Sequence, residues 1–200
     1  MTNKKDVWHL AWPLILSNLA LPIFGLVDTT VLGHLDSPHY LGAVAVGSNL
    51  LLFLFWGFGF LRMGTTGLTA QAYGEDDRGE INAVLFRAGI LALFISCLLL
   101  LLHREIADIS FSLMQSSRIV EQYAMQYFET RVLSAPATLS SYVLMGWFLG
   151  QQNVKVPLLV VLISNIINIC LDLWFVYHLK MQVEGVALAT VIAEYIGLAV

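Results

Sequence analysis

Charged residues are scarce in this sequence. Asp, Glu, Lys and Arg together make up 12% of its 200 residues, about half the share found in a typical soluble chain. Hydrophobic residues make up 58%, and the mean hydropathy is +0.77. Too few polar side chains remain to cover a water-facing surface, so the composition excludes a soluble globular fold and predicts an integral membrane protein. The net charge of -4 is spread along the chain, with no basic patch that would indicate nucleic-acid binding.

Residues that build metal sites, disulfides and catalytic centres are also few. The two cysteines, Cys97 and Cys170, lie inside apolar runs, which predicts buried apolar side chains rather than a disulfide or metal ligands. The sequence contains neither C-x-x-C nor H-E-x-x-H, and it has no nucleophile elbow or glycine-rich phosphate loop. It therefore predicts no metal site, no cofactor and no enzymatic activity.

Long apolar segments are abundant. A membrane-spanning helix needs about 20 mostly apolar residues, and in lipid such a segment becomes helical because its backbone groups must pair internally. Six spans are predicted, at about 8–33, 43–70, 82–102, 121–149, 156–177 and 184–200. The mixed stretch 103–118 is predicted to lie in the membrane interface. The sixth segment is still apolar at Val200, which predicts that the sequence ends inside a helix of a longer chain.

The distribution of Lys and Arg predicts the orientation, because these residues concentrate in cytoplasmic loops. With a cytoplasmic amino terminus, that side would hold Lys4, Lys5, Arg78, Arg87 and Lys155. The opposite side would hold Arg104, Arg118 and Lys180. The excess favours the cytoplasmic placement of the amino terminus.

Asp28 is a charged residue within the first span. A charge at the bilayer centre costs at least about 2.5–3.5 kcal/mol and usually faces a cavity or a partner. Pro13 and Pro22 precede it, and proline can bend a helix. These residues indicate a proton or cation site on a bent helix. The alternative is a structural hydrogen bond or a carboxylate near the interface.

The fifth span carries a polar stripe. Asn165, Asn168 and Asp172 are three and four residues apart, so they share one helix face. Amide and carboxylate oxygens are ligands for hard cations, and they also suit a proton-linked network. The alternative is a hydrogen-bonded seam between helices.

Other charges in the spans allow two interpretations each. Arg62 could reach the interface with its long side chain or pair with a carboxylate, and Glu194 could join a polar interior or pair with an arginine. Glu129 and Arg131 are two residues apart, so they do not face each other on one helix and need other partners. Asn165, Arg62 and Glu194 are the candidates to line a polar cavity.

Glycines are concentrated in the second span, where they would allow close helix contacts or bending. They are Gly42, Gly47, Gly57, Gly59, Gly64 and Gly67.

Four segments together resemble the multidrug and toxic compound extrusion (MATE) family of transporters. Residues 12–29, with Trp12-Pro13 and Leu26-Val27-Asp28-Thr29, resemble the first helix of the family. Residues 67–74 resemble the exit of the second helix, and residues 146–157 resemble the junction of the fourth and fifth helices. Asn168 and Asp172 match an Asn-x-x-x-Asp element of the fifth helix. The runs 33–38, 60–63 and 188–195 resemble one branch of the family more closely.

The resemblance implies an all-α, polytopic fold, with this chain as the amino-terminal six-helix lobe of a twelve-helix transporter. It implies export of small cationic or amphipathic compounds against an inward flow of H⁺ or Na⁺, with H⁺ favoured by the branch, across the bacterial cytoplasmic (inner) membrane. It assigns ion coupling to Asp28, Asn168 and Asp172, and helix bending to Pro13. The partners it implies are membrane lipid and a second lobe, supplied by the same chain or by a second copy.

Three other functions are possible for such a sequence. A lipid-linked oligosaccharide flippase of the same superfamily would need several basic residues for a pyrophosphate, and only Arg62 and Arg131 are candidates. A membrane-embedded enzyme would need a nucleophile–base pair or a metal cluster. A non-transporting half-protein would act only as a binding or regulatory partner.

Overall fold

A computed structural model describes residues 12, 30, 33, 38–114 and 117–200 of the chain. Its helices are α1 (Pro38–Trp56), α2 (Phe60–Gly74), α3 (Arg78–Leu113), α4 (Arg118–Arg131), α5 (Ala135–Gly150), α6 (Lys155–Leu173) and α7 (Val183–Ala199). A 3₁₀ turn, Val132–Ser134, joins α4 to α5, and a π turn, Trp174–His178, follows α6. No strand occurs among these residues, and the all-α prediction is confirmed.

Four continuous helical segments are long and apolar enough to cross a membrane. They are His39–Gly74, Arg78–Leu113, Arg118–Gly150 and Lys155–His178. Large apolar side chains cover their outer surface, as lipid contact requires: Phe53 is 73% exposed and Trp56 is 76% exposed. The third span extends to Leu113, so the mixed stretch after residue 102 continues the helix. The chain is therefore a multi-pass membrane protein.

Glycines of the second span lie at a turn in the helix and at a close helix contact. Gly57 and Gly59 lie in the turn between α1 and α2, where the Gly59 amide bonds three residues back, to the Trp56 carbonyl at 3.0 Å. At Gly47 the helices are in close contact, because an added Cβ would lie 2.8 Å from the Tyr127 ring. The span therefore changes to hydrogen bonds three residues back near one pair of glycines and packs closely at another glycine.

The α-helical hydrogen bonding of the fourth span is interrupted between α4 and α5. Pro136 stands in the first turn of α5, and its missing N–H removes a helical hydrogen bond. The 3₁₀ turn Val132–Ser134 fills the gap before the α-helix resumes at Ala135. We call residues 132–136 the bend.

Helices from distant parts of the sequence pack in pairs. The second span lies along the fourth, with α1 against α4 and α2 against α5, while α7 packs on α6 and α4. The contact of α2 with α5 is very close. A Cβ at Gly146 would lie 2.6 Å from the Arg62 carbonyl oxygen, and one at Gly150 would lie 2.6 Å from Thr69 Cβ. These glycines four residues apart match the small-residue spacing of close transmembrane contacts.

The burial predicted for the two cysteines is wrong. Cys97 and Cys170 are both exposed. In a membrane protein an apolar run does not imply burial within the protein, because lipid covers its outer face as well as a core would.

Substitution of Gly146 by alanine tests the contact between α2 and α5. The added methyl group would overlap a backbone oxygen, so we expect a loss of about 1–3 kcal/mol in the free energy of unfolding. Gly67→Ala is the matched control on α2, because nothing lies within 4 Å of its added Cβ. Unfolding in mixed micelles measures both variants. Equal stability of the two would contradict the close contact.

Candidate functional site

The polar face of α6 is buried at its carboxyl-terminal end. Asn168 and Asp172 are among the few buried polar residues of the described chain, and Asp172 is fully buried. They lie one turn apart, so both project from one face of α6. A carboxylate buried to this degree is costly in a membrane, which makes this face a candidate functional site.

Thr190 of α7 connects this face to the neighbouring helix. The Asn168 Nδ2 group donates a hydrogen bond to Thr190 Oγ1 at 3.2 Å. The Thr190 hydroxyl donates in turn to the Val186 carbonyl at 3.0 Å. Thr190 was not among the predicted site residues, although its position four residues before Glu194 places the two on one helix face.

Asn165, the third residue of the predicted stripe, is half-buried. Its Nδ2 group donates to the Val161 carbonyl of the same helix at 2.7 Å. Its side-chain donor thus contacts its own helix, whereas Asn168 reaches α7. A place for Asn165 in a polar cavity stays a prediction.

Arg131 and Glu194 form an ion pair between α4 and α7. Their Nη2 and Oε1 atoms are 2.5 Å apart, and their side chains are 13% and 24% exposed. The Thr138 hydroxyl of α5 donates to the other carboxylate oxygen, Oε2. Arg131 also donates to the Ser134 hydroxyl. This pair supplies the partner that the sequence required for Arg131.

Two other charges from the spans lie on the surface of the lobe. Glu129 and Arg62 are both exposed. Among the residues described, the ion pairs join Arg87 to Glu80 and Arg131 to Glu194, so Arg62 belongs to neither. Asp28 and Pro13 lie outside the described residues, and their roles stay predictions.

The family of the chain follows from comparison with known proteins. The MatE family model matches residues 13–174, which is most of the sequence. The chain therefore belongs to the MATE family, as its resemblance to that family predicted.

Among curated relatives, the chain is 49% identical over 194 residues to the DNA damage-inducible protein F of Escherichia coli (strain K12). The match covers 97% of this chain and 42% of that protein. It confirms the branch to which the runs 33–38, 60–63 and 188–195 pointed. The chain is also 26% identical to a probable multidrug resistance protein NorM of Thermotoga maritima, again over 97% of this chain and 42% of that protein. It thus spans about two fifths of the length of these relatives.

Solved structures support the fold. The outward-facing conformation of a multidrug resistance MATE family transporter matches 98% of this chain with a TM-score of 0.91. The match covers 43% of that protein at 22% sequence identity. Another match, with a TM-score of 0.89 and 22% identity, is a MATE protein in complex with MaD3S. These likenesses place the chain in the MATE fold as a single lobe.

Double substitution tests the coupling between Arg131 and Glu194, whose ion pair is largely buried. Replacing only Arg131 or only Glu194 with leucine leaves one charge without its counter-ion, so each single variant is expected to lose about 3–5 kcal/mol of stability. Replacing both removes the remaining buried charge, and the double variant is expected to be more stable than either single one.

The exposed pair Arg87–Glu80, with side chains 68% and 44% exposed, is the matched control, where the same substitutions should change stability little. Unfolding in mixed micelles gives all the free energies. Additive losses at Arg131 and Glu194 would contradict a coupled buried pair.

Proposed function

We propose that the chain forms the amino-terminal lobe of a cation-coupled multidrug efflux antiporter. In this proposal the transporter lies in the bacterial cytoplasmic membrane with its amino terminus in the cytoplasm. The observation that carries the proposal is the buried Asn168–Asp172 face of α6, which Thr190 ties to α7. Membership of the MATE family and relatives named multidrug resistance proteins support it.

The chemistry of this face suits a coupling ion. A buried carboxylate such as Asp172 is relieved of its charge by binding a proton or a cation. The side-chain nitrogen of Asn168 donates to Thr190, so Asn168 can offer its side-chain carbonyl oxygen to an ion. Hard cations bind oxygen ligands of this kind. The resemblance to the branch favours H⁺ over Na⁺ as the coupling ion.

Export requires that the ion favour one state of the transporter. An ion that binds the inward-facing and outward-facing states equally does not change the equilibrium between them. The affinity for the ion must therefore differ between the two states. In this mechanism Asp28 of the first span shares the ion with Asp172. The helix that carries Asp28 bends at Pro13 when the carboxylates are neutralised. The substrates are small cationic or amphipathic organic compounds, and the second lobe completes the binding cleft.

The two candidate basic residues, Arg62 and Arg131, do not favour the flippase alternative. A pyrophosphate group would need several uncompensated positive charges around a cavity. Arg131 is neutralised by Glu194, and Arg62 is exposed on α2. That leaves Arg62 as the one candidate of the two, fewer than the several that a pyrophosphate would need.

Substitution of Asp172 by asparagine in the full-length transporter tests the proposal. The amide keeps the size of the side chain but does not take up a proton, so we expect ion-driven efflux to fall by at least about tenfold. Ethidium efflux from proteoliposomes under an imposed H⁺ or Na⁺ gradient measures it.

Asp108→Asn is the matched control, because Asp108 is exposed on α3 and its loss should leave efflux intact. Unchanged efflux in Asp172→Asn would rule out its role as coupling residue. Absence of efflux from the unaltered full-length protein under both gradients would favour the non-transporting alternative.

A further inference from the structure

The bend in the fourth span is held by side chains from two other helices. The hydroxyl of Tyr195 on α7 donates to the Leu133 carbonyl at 3.0 Å. The buried hydroxyl of Ser96 on α3 lies 3.2 Å from the Ala135 carbonyl and 2.7 Å from that of Ala92, so its hydrogen is shared between them. Two backbone oxygens at the bend, those of Leu133 and Ala135, thus accept side-chain hydrogen bonds from neighbouring helices.

The carboxylate of Glu194 binds one residue on each side of this bend. Oε1 binds Arg131, the last residue of α4, and Oε2 accepts from Thr138 in the first turn of α5. The Ser134 and Thr138 hydroxyls, 3.2 Å apart, close the cluster. A change in the angle between α4 and α5 would therefore alter at least one bond to this carboxylate.

Helix α7, which carries Glu194, also contacts the candidate ion site. Thr190 receives the hydrogen bond from Asn168 and lies four residues before Glu194, about 6 Å along the helix axis. Both contacts lie within one continuous helix, Val183–Ala199. A shift or rotation of α7 that alters one of them will alter the other.

We propose that α7 transmits the state of the Asn168–Asp172 site to the bend, with Glu194 as the positioning residue. This inference rests on the proposed function and adds a route by which ion binding changes the shape of the lobe. Ion loading changes the charge beside Asn168, and the contact of Asn168 with Thr190 moves α7. Through its bonds to Arg131 and Thr138, the carboxylate of Glu194 then changes the position of α5 relative to α4. Because Gly146 and Gly150 hold α5 tightly against α2, the second span moves with it.

The charge of the pair matters to this role. Buried ion pairs are often no more stabilising than apolar residues of similar size, so stability alone does not account for the Arg131–Glu194 pair. A short, directional contact gives the bend a defined geometry, and the partial exposure of both side chains leaves space for the contact to change when the helices move.

Distance measurements in the full-length transporter in lipid nanodiscs test the proposal. Spin labels at Gln122 on α4 and Gln152 after α5, both exposed, report the angle of the bend, with Cys97 and Cys170 replaced by serine. Asp172→Asn imitates the neutral ion site. We expect it to shift the distance between labels by about 2 Å, the scale of helix shifts in switching proteins.

The Glu194→Gln background decides the role of the carboxylate. It removes the charge while keeping the size, and we expect the shift caused by Asp172→Asn to disappear. Glu129→Gln is the matched control, because it removes an exposed carboxylate of α4 and should retain the shift. The proposal is overturned if the shift persists in Glu194→Gln, or if Asp172→Asn causes no shift in the unaltered background.

A second variant distinguishes loss of the α7 route from failure of the protein to fold. Thr190→Val cuts the contact with Asn168 and leaves the Arg131–Glu194 pair in place, so it should also abolish the shift while the thermal unfolding temperature stays close to that of the unaltered protein. A persisting shift in folded Thr190→Val would overturn the proposal even if Glu194→Gln failed to fold. Efflux assays on the same samples test the proposed function separately, since the distances are measured without transport.

Discussion

The bilayer leaves no water to pair with backbone N–H and C=O groups, and the rest of this structure follows from that constraint. It requires helices through the apolar runs, and it permits irregular backbone only where other groups supply the missing bonds. At the first break, between α1 and α2, hydrogen bonds to residues three positions back do so. At the bend in the fourth span, the Ala135 N–H bonds to the Val132 carbonyl, which Pro136 leaves without its usual donor, and Ser96 and Tyr195 add hydrogen bonds from neighbouring helices.

The same constraint governs the charges. Arg131 and Glu194 are accommodated in the lobe because each neutralises the other at 2.5 Å and hydroxyl groups complete the cluster. Glu129 and Arg62 reach the surface instead. Asp172 is fully buried, and its burial on the face that Asn168 ties to α7 makes this face the best candidate for ion coupling. Within the part of the chain that the structure describes, these buried charged groups thus lie at two positions, which a single helix connects.

The sequence predicts the class of fold and part of the candidate site for identifiable reasons. Apolar length predicts membrane spans, and the spacing of Asn168 and Asp172 predicts a shared face, because both depend only on local helix geometry. The partner of Arg131 is 63 residues away, and local spacing carries no information on which helices meet. For the same reason the sequence did not separate Gly47, which packs on Tyr127, from Gly67, whose added Cβ would meet nothing within 4 Å. Burial of cysteines was mispredicted because lipid and protein interior favour the same residues.

Ion release on substrate binding tests antiport most directly, because coupling between two ligands is reciprocal. The purified full-length transporter would be titrated with tetraphenylphosphonium in weakly buffered solution, with a pH indicator and a sodium electrode in place. Antiport predicts that binding of the organic cation releases H⁺ or Na⁺ in proportion to the bound substrate. Saturable binding with neither ion released would contradict it.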